Sequence, residues 1–221
     1  GGLLFGFPMG SKISADLTMQ QKISKEEGEI LSICFNQLSP VFICGYLLTN
    51  ILEMPKMILF SYIALYLPPV CYAIFQLKKL KSTPYKKAAS DSHLDFGIVD
   101  AGIMNGFESL TRLGGYIILF SIFAALLNTC NLRYPLVNLI CTGMTEVTTG
   151  ISCLKTSALL PEYIYPMAMF FASFGGLCGF AQTCSMTKTC AFSKSRYLLC
   201  RLCFAVISSI LGYFFYLCAF S

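Results

Sequence analysis

The segment Pro135–Leu154, PLVNLICTGMTEVTTGISCL, decides how the rest of the chain is read. It has the length of a membrane crossing, yet Glu146 sits at its centre among Thr142, Thr145, Thr148 and Thr149, with Gly143 and Gly150 on either side. A carboxylate at mid-membrane costs several kcal/mol unless it is neutralised, paired or wetted. Glycines on both sides predict a broken helix whose freed backbone groups face a cavity.

The surrounding sequence makes a membrane the relevant solvent. The 221 residues are 56% hydrophobic and 12% charged, about half the charge of a soluble domain, and mean hydropathy is +0.67. Uncharged runs cover Ile30–Leu52, Met57–Leu77, Leu113–Leu132, Tyr163–Thr187 and Leu202–Ser221. Each reaches the roughly 20 residues needed to cross the hydrocarbon core. The expected fold is therefore all-α, a polytopic transmembrane bundle with broken or re-entrant half-helices, in contact with the lipid bilayer. Gly1 already lies in an apolar segment without an initiator Met, so the chain reads as a fragment.

Short polar connectors separate these runs. In Thr18–Glu29, Ser24-Lys25-Glu26-Glu27 has the form of a capping box. Leu77–Asp91 holds five lysines, which predicts that loop 78–93 is cytoplasmic. Thr18–Glu29 then lies inside as well, because two runs separate the two loops. Asp95–Arg112 spaces apolar residues helically among Asp100, Glu108 and Arg112, as in an interfacial amphipathic helix.

The net charge of +5 sits at membrane edges, with no basic face for nucleic acid. The 12 cysteines are scattered, and the single His93 lies far from Cys200-Arg201-Leu202-Cys203. No metal site or cofactor is expected. Nothing forms an acid/base pair or an activated nucleophile, so an enzyme is not expected.

A second reading concerns repeats. Gly1-Gly2-Leu3-Leu4-Phe5-Gly6-Phe7 recurs, one residue shorter, as Gly175-Gly176-Leu177-Cys178-Gly179-Phe180. A polar connector follows each copy, then Ser24-Lys25 or Ser193-Lys194, then a helix with Cys34 or Cys203. If 135–154 crosses, five spans separate the connectors and the copies point in opposite directions, as an inverted-repeat transporter requires. If it re-enters, that inversion fails. The second connector, with Lys188, Lys194 and Arg196, would otherwise lie outside, against the positive-inside rule. The division expected is 1–93 for one unit with its basic loop and 94–221 for the other.

Gly6-Phe7-Pro8-Met9-Gly10-Ser11-Lys12 is not a phosphate loop, since Ser11 follows Gly10 where Lys would have to stand. Gly2, Gly6 and Gly10 suit close helix packing. Pro8 favours a half-helix ending near Gly6–Pro8, with Lys12 at its opening. Asn36, Ser39 and Pro40 form a second break, open to two readings: polar groups for a solute, or hydrogen-bonding glue between helices. Gln182, after Gly175 and Gly176, has the same two readings. Lys12 and Glu146 are also candidates to pair with each other.

On these residues the chain resembles the YlbJ-type sporulation integral membrane proteins, a branch of the nucleoside-recognition or gate-domain superfamily. Their G-[YF]-P-x-G-x-K segment is matched by residues 6–12, I-S-x-x-E by 23–27, and N-x-x-S-P-x-F-I-x-G by 36–45. E-x-T-N-G is matched at 146–150 and F-G-G-[LF]-S-x-x-A-Q at 174–182, with Thr149 in place of Asn and Cys178 in place of Ser. Family members are about twice as long, the absent part being the front of the first repeat, so that 1–93 corresponds to its second half. The resemblance implies transport by alternating access of a small anion, dipicolinic acid in endospore formation, in a bacterial cell membrane such as one surrounding the forespore. The alternatives are a nucleoside transporter, a channel or gate subunit, and a sporulation membrane protein that only packs or assembles; a homo-oligomer is left open. Under the transport reading the solute meets Gly6, Pro8, Gly10, Lys12, Asn36, Ser39, Pro40, Glu146, Thr148, Gly150, Gly175, Gly176 and Gln182.

Overall fold

Glycine, proline and small polar residues break several of the long apolar runs, although Pro68 and Pro69 stand inside one helix and Pro166 inside another. The computed structural model of the chain describes residues 2–80, 96–129 and 134–220. The helices are α1 (Gly2–Phe5), α2 (Met9–Met19), α3 (Lys25–Cys34), α4 (Ile58–Lys79), α5 (Phe96–Thr129), α6 (Pro135–Thr145), α7 (Val147–Lys155), α8 (Pro161–Phe174), α9 (Gly176–Met186) and α10 (Lys194–Phe220). A π-helical segment, Phe42–Ile51, and a 3-10 turn, Pro55–Met57, lie between α3 and α4. Four stretches are long and apolar enough to cross a membrane: Pro55–Lys79, Phe96–Thr129, Pro161–Met186 and Lys194–Phe220. The chain is an all-α integral membrane protein.

Three sequence expectations change. The run Ile30–Leu52 is not one helix: α3 ends at Cys34, and helical structure resumes at Pro40. Pro40 has no N–H to continue the ladder, and Ser39 Oγ instead accepts the Phe42 N–H at 3.2 Å. The amphipathic segment before Arg112 is not a separate interfacial helix, because α5 runs unbroken for 34 residues. Tyr163–Thr187 is split at Gly175, whose φ of +80° ends α8 in the left-handed region.

Pro135–Leu154 neither crosses as a helix nor merely kinks. A Cβ placed on Gly150 would lie 2.2 Å from Gly143 Cα. In a continuous helix those residues are about 10.5 Å apart, so α6 and α7 fold back on each other at Glu146. The other end of the chain does the same. A Cβ on Gly2 would lie 2.6 Å from Gly10 Cα, with the turn at Gly6-Phe7-Pro8. These glycines allow two arms of one hairpin to touch.

Polar contacts fix the two ends of the bundle. At one end Glu29 accepts from the Ser193 N–H at 3.3 Å and pairs with Arg196 at 3.2 Å. The two polar connectors therefore lie together, and Arg196 donates to Tyr72 Oη, bringing the Lys78–Lys79 end of α4 alongside. At the far end Lys155 pairs with Glu53 at 2.7 Å; its hydrogen bond lowers the Glu53 pKa. The connectors that follow the two glycine motifs thus lie at the same end, because 135–154 folds back and does not count as a crossing. Lys188, Lys194 and Arg196 join Lys22, Lys25, Lys78 and Lys79 at one end, removing the conflict with the positive-inside rule. Residues 81–93 of the basic loop lie outside the described residues.

Between these ends α10 packs against α8 and α4. Lipid tails are as apolar as leucine, so close fit and buried polar contacts hold such helices together. Ser61 and Tyr165 share a hydrogen bond at 2.8 Å, and Ser208 donates to Ala64 O at 2.8 Å. The outer face of α5 carries exposed Ile103, Phe107, Leu110, Ile118 and Leu126.

Candidate functional site

Two hairpin turns and two helix interruptions meet at the middle of the bundle. Gly6, at the first turn, has φ +78°, and a Cβ there would be 2.9 Å from the Ser39 amide nitrogen in the first interruption. Gly176, at the second interruption, has φ +70°, and its Cβ would be 3.2 Å from Thr145 O and 3.3 Å from the Val147 amide nitrogen in the second turn. Each turn therefore abuts one interruption, backbone to backbone. Gly175 joins the pairs, since its Cβ would lie 2.5 Å from the Phe7 ring.

A cavity of about 180 Å³ lies at this junction. Gly6, Ser39, Glu146, Thr148, Gly175 and Gln182 line it together with Phe7, Phe42, Leu113, Ile117 and Cys178. Six of the residues proposed from the sequence thus come together.

Glu146 is 2% exposed. It is the N-cap of α7: Oε1 accepts the Thr148 N–H at 3.1 Å, and Oε2 accepts the Thr149 N–H at 2.7 Å and Thr149 Oγ1 at 2.8 Å. Thr148 Oγ1 donates to the same oxygen at 2.5 Å. A negative group at a helix N-terminus answers both the unpaired amides and the helix dipole. The threonines that made this segment look unlike a span are its hydrogen-bond donors.

Seven proposed residues lie elsewhere or serve the backbone. Lys12 neither opens into the cavity nor pairs with Glu146; it hydrogen-bonds Ser109 Oγ at 2.5 Å and Asn105 O at 3.3 Å on α5. Asn36 is fully buried, donating to Thr183 Oγ1 at 2.8 Å and Tyr197 Oη at 3.0 Å. It ties α3 to α9 and α10, which is the glue reading. Gly10 lets α2 approach Phe35 O, where a Cβ would be 2.2 Å away. Gly150 serves the α6–α7 contact, Gly176 the close approach to Thr145 and Val147, and Pro8 precedes α2. The Pro40 carbonyl accepts from Tyr62 Oη at 3.1 Å.

Sequence reasoning missed Arg201. It stands at the edge of an uncharged run and reads as a boundary residue, yet it is 0% exposed. Its Nε donates to Phe174 O at 3.3 Å and its Nη1 to Asn36 O at 3.2 Å. These carbonyls lie at the ends of α8 and α3, where unpaired C=O groups carry negative partial charge. One guanidinium thus serves two interrupted helices. Its only sequence signal is its position, seven residues inside α10, about 10 Å along the helix.

Among the described residues no group of three or more His, Cys, Asp or Glu is placed to hold a metal. No family model and no solved structure matches the chain. The sporulation integral membrane protein YlbJ of Bacillus subtilis (strain 168) is 25% identical over 152 residues, covering 59% of this chain and 37% of that protein. The similarity agrees with the resemblance carried by the sequence motifs. The chain spans little more than a third of that relative's length.

Proposed function

We propose that this protein carries a small anionic solute of the dipicolinate kind across a membrane by alternating access, in the course of endospore formation and without a catalytic step. The observation that carries the reading is the meeting of two hairpin turns and two interrupted helices around one cavity, whose largely apolar wall also holds Ser39, Glu146, Thr148 and Gln182. Helix interruptions are tolerated at membrane depth where they are buried in protein or line a cavity. Transporters use such sites because half-helix ends present backbone groups to solute and coupling ion.

The order of elements supports the same reading. A hairpin, an interrupted helix and a long helix occur as α1–α2, α3 with Phe42–Ile51, and α4. They occur again as α6–α7, α8–α9 and α10. The first hairpin opens toward the connector end and the second toward the Glu53–Lys155 end, so the two sets point in opposite directions. This inverted pairing matches hairpin with hairpin, unlike the correspondence read from the glycine motifs. The basic connector end is then cytoplasmic, and rocking one set against the other would expose the cavity to each side in turn.

The test is uptake of radiolabelled dipicolinate, and separately of a nucleoside, by full-length protein in proteoliposomes. Saturable dipicolinate uptake, reduced at least tenfold in Ser39→Leu, is expected. Nucleoside uptake alone would keep the mechanism and move the substrate. No movement of either by folded protein would overturn the transport reading in favour of an assembly role.

A further inference from the structure

Arg201 holds a positive charge where the bundle provides no anion for it. The guanidinium is fully buried, and two of its nitrogens are engaged with Phe174 O and Asn36 O. The third, Nη2, has no hydrogen-bond partner. No carboxylate among the described residues pairs with Arg201. Buried cations are ordinarily paired, because desolvation costs several kcal/mol, and an arginine nitrogen left idle in a protein interior calls for an explanation. The helix ends it touches compensate only part of the charge.

What covers the guanidinium is the face of Phe7, whose ring centroid is 4.9 Å from Arg201 Cζ. Phe7 lines the cavity whereas Arg201 lies behind it. The free nitrogen lies beside the turn that opens α9, since a Cβ on Gly175 would be 3.3 Å from Nη2 and 2.5 Å from the Phe7 ring. No side chain caps the N-terminus of α9. An uncapped helix N-terminus and an unpartnered guanidinium edge thus meet at one cavity-lining glycine.

We propose that Arg201 receives a carboxylate of the solute and that the Phe7 ring occupies the place of an aromatic acid, leaving the guanidinium when such an acid enters the cavity. This rests on the transport reading above and assigns the residues that would receive the solute's carboxylate and its ring. The acid's ring replaces the aromatic face, and its carboxylate takes the idle Nη2 donor, a charge-assisted bond of the kind arginine makes best. Phe7 is at the first hairpin turn while Arg201 is on α10, so the exchange would break a contact between the two halves. Binding and the motion that opens the cavity are coupled through that contact.

The experiment is isothermal titration of the purified full-length protein with pyridine-2,6-dicarboxylate, benzoate, glutarate and uridine. Wild type is expected to bind the two aromatic acids more tightly than glutarate. Arg201→Lys keeps the charge without the guanidinium fork and is expected to weaken aromatic-acid binding at least tenfold. Phe7→Leu removes the competing ring at similar bulk and is expected to tighten it about three- to tenfold, the scale of a partly desolvated cation–π contact. Unchanged affinity in Arg201→Lys, or weaker binding in Phe7→Leu, would overturn the assignment. If uridine binds and no acid does, the assignment fails while a solute site at the cavity survives. If nothing binds to folded protein, both fail together.

Discussion

Gly150→Leu lowers the melting temperature of the detergent-purified protein by about 6–12 °C. The reason is steric: even a Cβ at Gly150 would lie 2.2 Å from Gly143 Cα. The Gly143 side of the contact has little space to withdraw, because a Cβ there would be 2.3 Å from the Phe171 ring. Overpacking of this kind costs about 3 kcal/mol, and each kcal/mol moves the midpoint of a chain this size by about 2–4 °C. Gly45→Ala is the control, because nothing lies within 4 Å of a Cβ placed there. That substitution is expected to leave the midpoint unchanged or slightly raised. Equal losses in the two variants would show that α6 and α7 do not touch at Gly143 and Gly150.

Glu146→Ala is expected to cost about 2–4 kcal/mol of stability. It removes the α7 cap, which consists of the bonds to the Thr148 and Thr149 amides, and leaves each amide without its acceptor at about 1–2 kcal/mol. Glu146→Gln keeps one acceptor oxygen and is expected to recover part of the stability. Thermal unfolding followed by size-exclusion fluorescence separates the variants. A Glu146→Ala protein as stable as wild type would mean that the carboxylate does not cap α7.

Both effects depend on features that were legible in the sequence to different degrees. Glu146 announced itself, because a carboxylate among threonines inside an apolar stretch has few stable solutions, and capping a half-helix is one of them. Its glycines were read correctly as signs of a break, but not as the contact between two arms of a hairpin. Spacing alone does not distinguish a kink from a reversal. Ile30–Leu52 misled because hydropathy reports the cost of transfer from water and says little about helicity; Asn36, Ser39 and Pro40 end the helix there without making the run less apolar.

Direction is what a single sequence withholds. Lys12 and Asn36 were reasonable residues for a solute site, yet one faces α5 and the other Thr183 and Tyr197. Those partners lie 97, 147 and 161 positions away, so local pattern carries no trace of them. Arg201 was overlooked for the complementary reason. The carbonyls it serves belong to α3 and α8, which only the folded bundle brings to one place.

Counterflow tests alternating access most directly. Proteoliposomes containing the full-length protein would be preloaded with unlabelled dipicolinate and diluted into a trace of labelled dipicolinate. Faster initial uptake with a transient overshoot, compared with empty vesicles, is the predicted result, because a carrier returns loaded and exchanges solute. Uptake that is indifferent to preloading, or absent in protein shown to be folded, would contradict a cavity that opens to one side at a time.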